Sequence, residues 1–376
     1  MKKSEKFIDI IFIAVIFLII IIPLLFMKKS DDAISKDENR KLTEKPKIIN
    51  KDGNINFMYL QNLETWFNDS FGFREEIINN YANFQYKAFG KFIDNDYYIG
   101  KHGELAYATE EMLLDYQHLN LKTKEENLKI AKSIKKIQNW LKKQKTDFYY
   151  VQCYDKHSIY PEEFIDYVYV NGEYSKTDNI VNSLKEKNVN VISLKESLLK
   201  EKEKNRVFGT WYDPGHWNYR GAYVGYIEVM RVLNEHNNKY YVLNEDNFNI
   251  YWTDQGKTIN KIHKADYEPI YELKKANAIE QTNREELGKY AQDSRNKIYV
   301  NEHVKNNKTI VIICDSYFGS YITEFIAESF YKTYVIWADY IYNLPEFQLM
   351  FKPDIFIYES AERCDRTKTI VDLTEN

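Results

Sequence analysis

KTIVIICDSYFG, residues 308–319, runs from an apolar stretch into a short polar turn. The first seven residues read as a strand, and the turn that follows leads into a helix near 320–331. Working outward, TYVIWA (333–338) and DIFIYES (354–360) read as further strands, and DFYYVQC (147–153) and NVNVIS (188–193) as two more upstream. Between them lie helical stretches near 177–187 and 219–236, and ahead of the first strand lies one over 124–144. In the last of these, Ile130, Ile134, Ile137 and Leu141 share one face and lysines occupy the other. Strands alternating with helices predict an α/β fold, a parallel sheet with helices on both faces. Chemistry on such a sheet sits beyond the carboxyl ends of its strands, here after Cys153, Ser193, Cys314 and Tyr358.

Of 376 residues, 44% are hydrophobic and 29% charged, enough for a packed core. The formal charge of −4, from 52 basic and 56 acidic residues, provides no cationic field for a polyanion and argues against a nucleic-acid partner. Cys153, Cys314 and Cys364 form no disulfide framework and no metal-ligand spacing, so a structural zinc is not expected. No phosphate loop or dinucleotide signature occurs, and no soluble cofactor is expected.

Residues 7–27, FIDIIFIAVIFLIIIIPLLFM, have the length of one membrane crossing. Lys2, Lys3 and Lys6 before them favour a cytoplasmic N-terminus over 1–6. Near residue 27 there is no small-residue cleavage site, which favours an uncleaved anchor over a signal peptide. The expectation is a single-pass cell-membrane protein with its catalytic domain outside the cytoplasm. Residues 28–56 read as a charged stalk and 57–376 as the main domain. Within that domain, 57–92 are a helical lead-in broken at Gly72, 97–107 a hairpin, and 240–300 an insertion of short elements.

Ser316 stands in the strand-to-helix turn, where the hydroxyl projects over the sheet edge and the amides of Ser316 and Tyr317 face a developing oxyanion. A serine there also serves as a plain helix cap. The segment DPGHWN (213–218) changes the balance, because Pro214 and Gly215 bend Asp213 back toward His216. Nucleophile Ser316, base His216 and orienter Asp213 meet the demands of acyl transfer. Trp217 and Tyr317 flank the trio and are candidates for stacking on a sugar, with packing around the turn the expected role for Trp217; Lys156, after the strand ending at Cys153, is a candidate substrate contact beside a structural role. Glu359, Glu362 and Arg363 read as an internal ion-pair group.

The chain resembles the SGNH-hydrolase-like acetyltransferases of exopolysaccharide O-acetylation, the AlgX and AlgJ type, and the related DHHW proteins. The resemblance runs through ENRKL (38–42), LETWFNDSFGFR (63–74), IGKHGELAY (99–107), DKHSIYPE (155–162), DPGHWNYRGA (213–222), CDSY (314–317) and PDIFIYESAER (353–363). It implies a flavodoxin-like SGNH sheet, with Ser316 as acetyl-accepting nucleophile, His216 as base and Asp213 as orienter. It also implies a polysaccharide acceptor and a membrane-bound O-acyltransferase partner that supplies the acetyl group. Two other functions stay open. One is a surface carbohydrate esterase; the other is a non-catalytic glycan-binding or assembly factor, suggested by the D-x-x-H spacing and by Cys314 where the family has glycine.

Overall fold

A computed structural model describes residues 2–27, 34–35, 40–49, 53–164, 168–235, 240–259, 262–319 and 321–375. Met1, parts of the expected stalk (28–33, 36–39 and 50–52) and residues 260–261 of the expected insertion lie outside the described residues. The chain divides into two units, Met1–Ile93 with Asn260–Ile262, and Asp94–Ile259 with His263–Asn376.

In the first unit, helix α1 (Lys2–Leu25) contains a stretch, Lys6–Leu25, with mean hydropathy 3.2. Its 20 residues at about 1.5 Å each match the roughly 30 Å hydrocarbon core of a bilayer. The same length and composition suit a signal sequence. Helices α2 (Tyr59–Ser70) and α3 (Arg74–Phe89) flank the Gly72 break. A Cβ on Gly72 would stand 2.4 Å from the Pro23 carbonyl oxygen, so only glycine permits that approach. Gly90, in the left-handed region at φ 63°, ends α3 by donating its amide to the carbonyls of Gln85 and Tyr86.

The second unit opens with the antiparallel hairpin β1 (Tyr97–Ile99) and β2 (Leu105–Tyr107). Strands β3 (Asp147–Cys153) and β4 (Val191–Ser193) follow, then an antiparallel ribbon of β5 (Phe248–Asp254) and β6 (Tyr267–Leu273). Next come β7 (Ile279–Glu280), β8 (Lys297–Val300), β9 (Thr309–Cys314), β10 (Lys332–Trp337) and β11 (Ile355–Ala361). The main sheet has the order β7-β8-β10-β9-β11-β3-β4. Its five strands from β10 to β4 run parallel, as the alternation of strands and helices requires, while β8 lies antiparallel on β10 and β7 on β8.

Strand β9 shows why the sheet is covered twice. Ile310, Ile312 and Cys314 point into one core, with Tyr226, Val229, Met230 and Leu233 of helix α4 (Tyr219–Leu233). Val311 and Ile313 point into the other, with Ile130, Ile134, Ile137 and Leu141 of the helix Lys124–Lys143. All five strand residues are fully buried, and a buried side chain of this size stabilises the fold by about 2 kcal/mol. The Lys124–Lys143 helix starts at a capping box formed by Thr123 and Glu126.

The segment 240–300 departs from the expected insertion at its end, because Lys297–Val300 joins the main sheet through pairing with β10. Four residues bearing a lysine carry too weak a strand pattern to announce that pairing; a long-range partner decides it. The helix expected near 320–331 is six residues, Ile322–Ala327, preceded by one helical turn over Ser316–Gly319.

Candidate active site

Strands β9, β11 and β3 are neighbours whose carboxyl ends lie level, with Ile313 opposite Tyr358 and Ala361 opposite Cys153. The chain leaves β9 at Asp315, and three contacts hold its turn. The Asp315 amide donates to Glu359 Oε2 at 2.9 Å, the Tyr317 amide to Asp315 Oδ1 at 3.0 Å, and the Gly319 amide to the Asp315 carbonyl at 2.9 Å. Arg366 Nη1 approaches the remaining Asp315 oxygen at 3.2 Å. Burial first, and then the nearby Asp315 charge, push the Glu359 carboxyl well above the usual range. Ser316 is thereby held at the strand end with its side chain facing a cleft.

The second segment reaches the same edge from before α4. Asp266 accepts the amides of Trp211 (2.6 Å) and Tyr212 (2.8 Å) on one carboxylate oxygen. Asn218 caps α4 by accepting the Gly221 amide at 2.9 Å and donates Nδ2 to buried Glu268 on β6. Between these anchors the Pro214–Gly215 turn lets Asp213 Oδ1 accept the Gly215 amide at 2.9 Å. The other oxygen, Oδ2, lies 2.9 Å from His216 Nδ1, and His216 Nε2 lies 2.8 Å from Ser316 Oγ. Burial tends to raise the Asp213 carboxyl, but the His216 contact and the Gly215 amide outweigh it and hold the group at about 2. An ionised Asp213 fixes the His216 proton on Nδ1 and leaves Nε2 as acceptor for the serine proton.

Asp213, His216 and Ser316 line a cleft of about 440 Å³, together with Tyr97, Tyr107, Thr109, Lys257 and Arg363. Tyr97 and Tyr107 are cross-strand partners in the β1–β2 hairpin, with ring centroids 5.3 Å apart. Their pairing was legible in the hairpin spacing, because opposite residues project to one face. Lys257 lies in the loop after β5 and carried no local signal.

Three candidate substrate contacts are structural groups instead, as the alternative reading of Trp217 and Lys156 has it and against the stacking expected of Tyr317. Trp217 is 0% and Tyr317 1% exposed, so neither ring is free to stack on a sugar. They pack against each other at 4.9 Å, the Tyr317 ring lies 5.2 Å from the His216 imidazole, and Tyr317 donates its hydroxyl to Asp155 at 2.7 Å. Their aromatic area supports the imidazole instead. Lys156 is buried too. Its ammonium donates to the carbonyls of Leu105 (3.2 Å) and Gly209 (2.8 Å), tying the hairpin to the loop before Trp211. Burial lowers it to about 8. The oxyanion expectation also narrows: with the Tyr317 amide given to Asp315, only the Ser316 amide remains of the two donors.

The Glu359–Glu362–Arg363 group divides. Arg363 Nη1 pairs with Asp155 at 3.2 Å, and Glu362 accepts from Ser158 and the Asp155 amide. Glu362 also faces His157 and Asp115, with ligand atoms within 4.8 Å of one another. Among the described residues this is the grouping suited to a metal, and Lys176, 3.6 Å from Asp115, already supplies a cation there.

Residues 107–304 match the family model described as SGNH hydrolase-like domain, acetyltransferase AlgX. That span contains Asp213 and His216 and stops before Ser316. No curated protein sequence matches the chain. Among solved structures, Bacillus cereus PatB1 with a sulfonyl adduct is 14% identical, with 71% of this chain and 94% of that one covered and a TM-score of 0.54. PatB1 without the adduct is 15% identical over 69% and 93%, with a TM-score of 0.52. A DHHW family protein from Eubacterium siraeum is 14% identical over 73% and 97%, with a TM-score of 0.48. At such identities the PatB1 likeness shows a shared fold.

Proposed function

The chain belongs to the family of SGNH hydrolase-like acetyltransferases of the AlgX type, and on that premise we propose a membrane-anchored enzyme that passes an acetyl group through Ser316 to hydroxyls of a cell-surface or secreted polysaccharide. The observation that carries the mechanism is the continuous relay from Asp213 through His216 to Ser316 Oγ, with both contacts under 3 Å. Ser316 Oγ attacks the acetyl carbonyl of the donor while its proton passes to His216 Nε2. The oxyanion meets the Ser316 amide, and the intermediate collapses as the imidazolium returns its proton to the leaving group. A sugar hydroxyl then gives its proton to the same imidazole and attacks the acetyl-serine. Collapse forms the sugar ester and hands the proton back to Ser316. Asp213 stays ionised throughout and steadies the imidazolium. The apolar Lys6–Leu25 helix supports a single-pass anchor that holds the second unit outside the cytoplasm, beside a membrane-bound O-acyltransferase as donor.

Intact-mass spectrometry of the purified full chain in detergent, incubated with p-nitrophenyl acetate, tests this reading. The wild type gains one acetyl group, Ser316→Ala gains none, and His216→Ala gains it far more slowly. A folded wild-type chain that neither gains acetyl nor releases acetate would overturn it and turn attention to a glycan-binding or assembly role.

A further inference from the structure

Strand β5, FNIYWTD over 248–254, is the outer strand of a two-stranded ribbon. Its partner β6 is the inner one, with the Tyr271 ring stacked on Tyr223 of α4 at a centroid distance of 5.2 Å. The ribbon's hydrogen bonds have a fixed phase. The Gln255 amide donates to the Asp266 carbonyl at 2.8 Å and the Lys274 amide to the Asn247 carbonyl at 2.9 Å. The odd-numbered residues of β5 therefore bond to β6, and the N–H and C=O groups of Ile250 and Trp252 point away from it. Among the described residues these outward groups have no partner, and the side chains around them are open, with Tyr251 48% and Trp252 66% exposed. Solvent-facing edge strands are commonly blunted by lysine, proline or a bulge. This one is not: in a chain with 52 basic residues, no Lys, Arg or Pro falls between 240 and 256, and the pairing with β6 is unbroken from Phe248 to Asp254.

We infer that β5 is an interface strand and that its partner is β5 of a second copy of this chain, paired antiparallel about a two-fold axis through Tyr251. Complementarity selects that occupant. In this register Ile250 of one copy lies opposite Trp252 of the other, each amide donates to the facing carbonyl, and every outward group of the two residues is satisfied. Asp254, the one charged residue of the strand, faces Phe248 of the second copy. The two Asp254 carboxylates then stand at opposite ends of the interface, roughly 20 Å apart at about 3.3 Å per residue. Each copy offers one β5 edge and the pairing consumes it, so assembly closes at a dimer. No residue of β5 lines the cleft over Ser316, and the inference is independent of the acyl-transfer reading.

Cysteine pairing reads the register in the full chain in detergent. Tyr251→Cys lies across the axis from its own copy, at a Cα separation of about 4.5 Å, and closes an intermolecular disulfide under mild oxidation. Asn249→Cys and Thr253→Cys do not crosslink alone, because each lies roughly 13 Å from its copy, but a mixture of the two gives the crosslinked heterodimer. The wild type, whose cysteines are buried or half-buried, stays uncrosslinked. Equal crosslinking at all three positions, or none at Tyr251→Cys, overturns the inference. Trp252→Pro removes an outward amide that β6 does not use, so the monomer keeps its near-ultraviolet circular dichroism and its acetyl-serine adduct. Its dimer dissociates about tenfold more readily in sedimentation velocity, as the loss of symmetry-related hydrogen bonds predicts. A dimer that survives Trp252→Pro unchanged would assign association to the apolar helix α1 and overturn the inference, as would a wild type that sediments as a monomer at every concentration reached.

Discussion

Replacing Asp213 with Asn tests the relay at its least redundant point. The carboxylate accepts two hydrogen bonds at 2.9 Å, from His216 Nδ1 and from the Gly215 amide, on different oxygens. An asparagine offers one acceptor oxygen and one NH2 group, so one of the two donors must face another donor. If the amide oxygen stays on Gly215, the imidazole turns to the tautomer with its proton on Nε2, which cannot take the Ser316 proton. If it stays on His216, the Pro214–Gly215 turn loses its closing contact. A hydrogen bond to a charged acceptor contributes about 1.5–3 kcal/mol. The Asp213 side chain is 40% exposed, which favours the lower end. Losing one such bond together with the charge facing the imidazolium gives about 3 kcal/mol in the transition state, or roughly a hundredfold in rate. The assay is kcat/KM for p-nitrophenyl acetate with the full chain, alongside the rate of acetyl-enzyme formation by mass. Because Asp213 is held at about 2, it is ionised throughout the assay range, and its own titration adds nothing to the pH dependence of the ratio of wild type to variant. A folded Asp213→Asn enzyme within about threefold of wild type would refute the reasoning.

Two further substitutions probe the support beneath the relay. Burial, and then the Asp266 charge, push Glu268 up to about 7. The folded state thus keeps a proton that the unfolded chain releases near its ordinary value of 4.5, and stability falls as pH rises from there to about 7. Glu268→Gln keeps an acceptor for Asn218, removes that slope, and stabilises the protein by on the order of 2 kcal/mol at pH 8 but little at pH 4.5. Denaturation midpoints of the two proteins that run parallel across this range would contradict the assignment. Gly221→Ala places a Cβ 2.4 Å from the Val207 carbonyl oxygen and 2.8 Å from Trp217 Cβ, at the start of α4. A loss of about 2–3 kcal/mol follows, seen as a lower Tm and slower acetylation of Ser316; an unchanged Tm would show that the α4 start yields more easily than its packing implies.

Residues a few positions apart determined much of this protein. The spacing of Ile130, Ile134, Ile137 and Leu141 identifies a helix and its buried face, and the run ending at Cys314 identifies a strand and the edge where a nucleophile belongs. Hydrophobic periodicity and turn chemistry are local, so sequence alone reveals them. The Asp213–His216 contact is of the same kind, since one turn spans it. The contact from His216 to Ser316 crosses 100 residues and exists only because α4 and β9 pack in one core. Tertiary packing likewise buried Trp217, Tyr317 and Lys156, gave the Tyr317 amide to Asp315, and drew Lys297–Val300 into the sheet. It also brought Tyr97, Tyr107 and Lys257 to the cleft. Whether a polar or aromatic group faces substrate or core depends on neighbours distant in the chain. No local pattern encodes that choice; the packing of the sheet edge decides it.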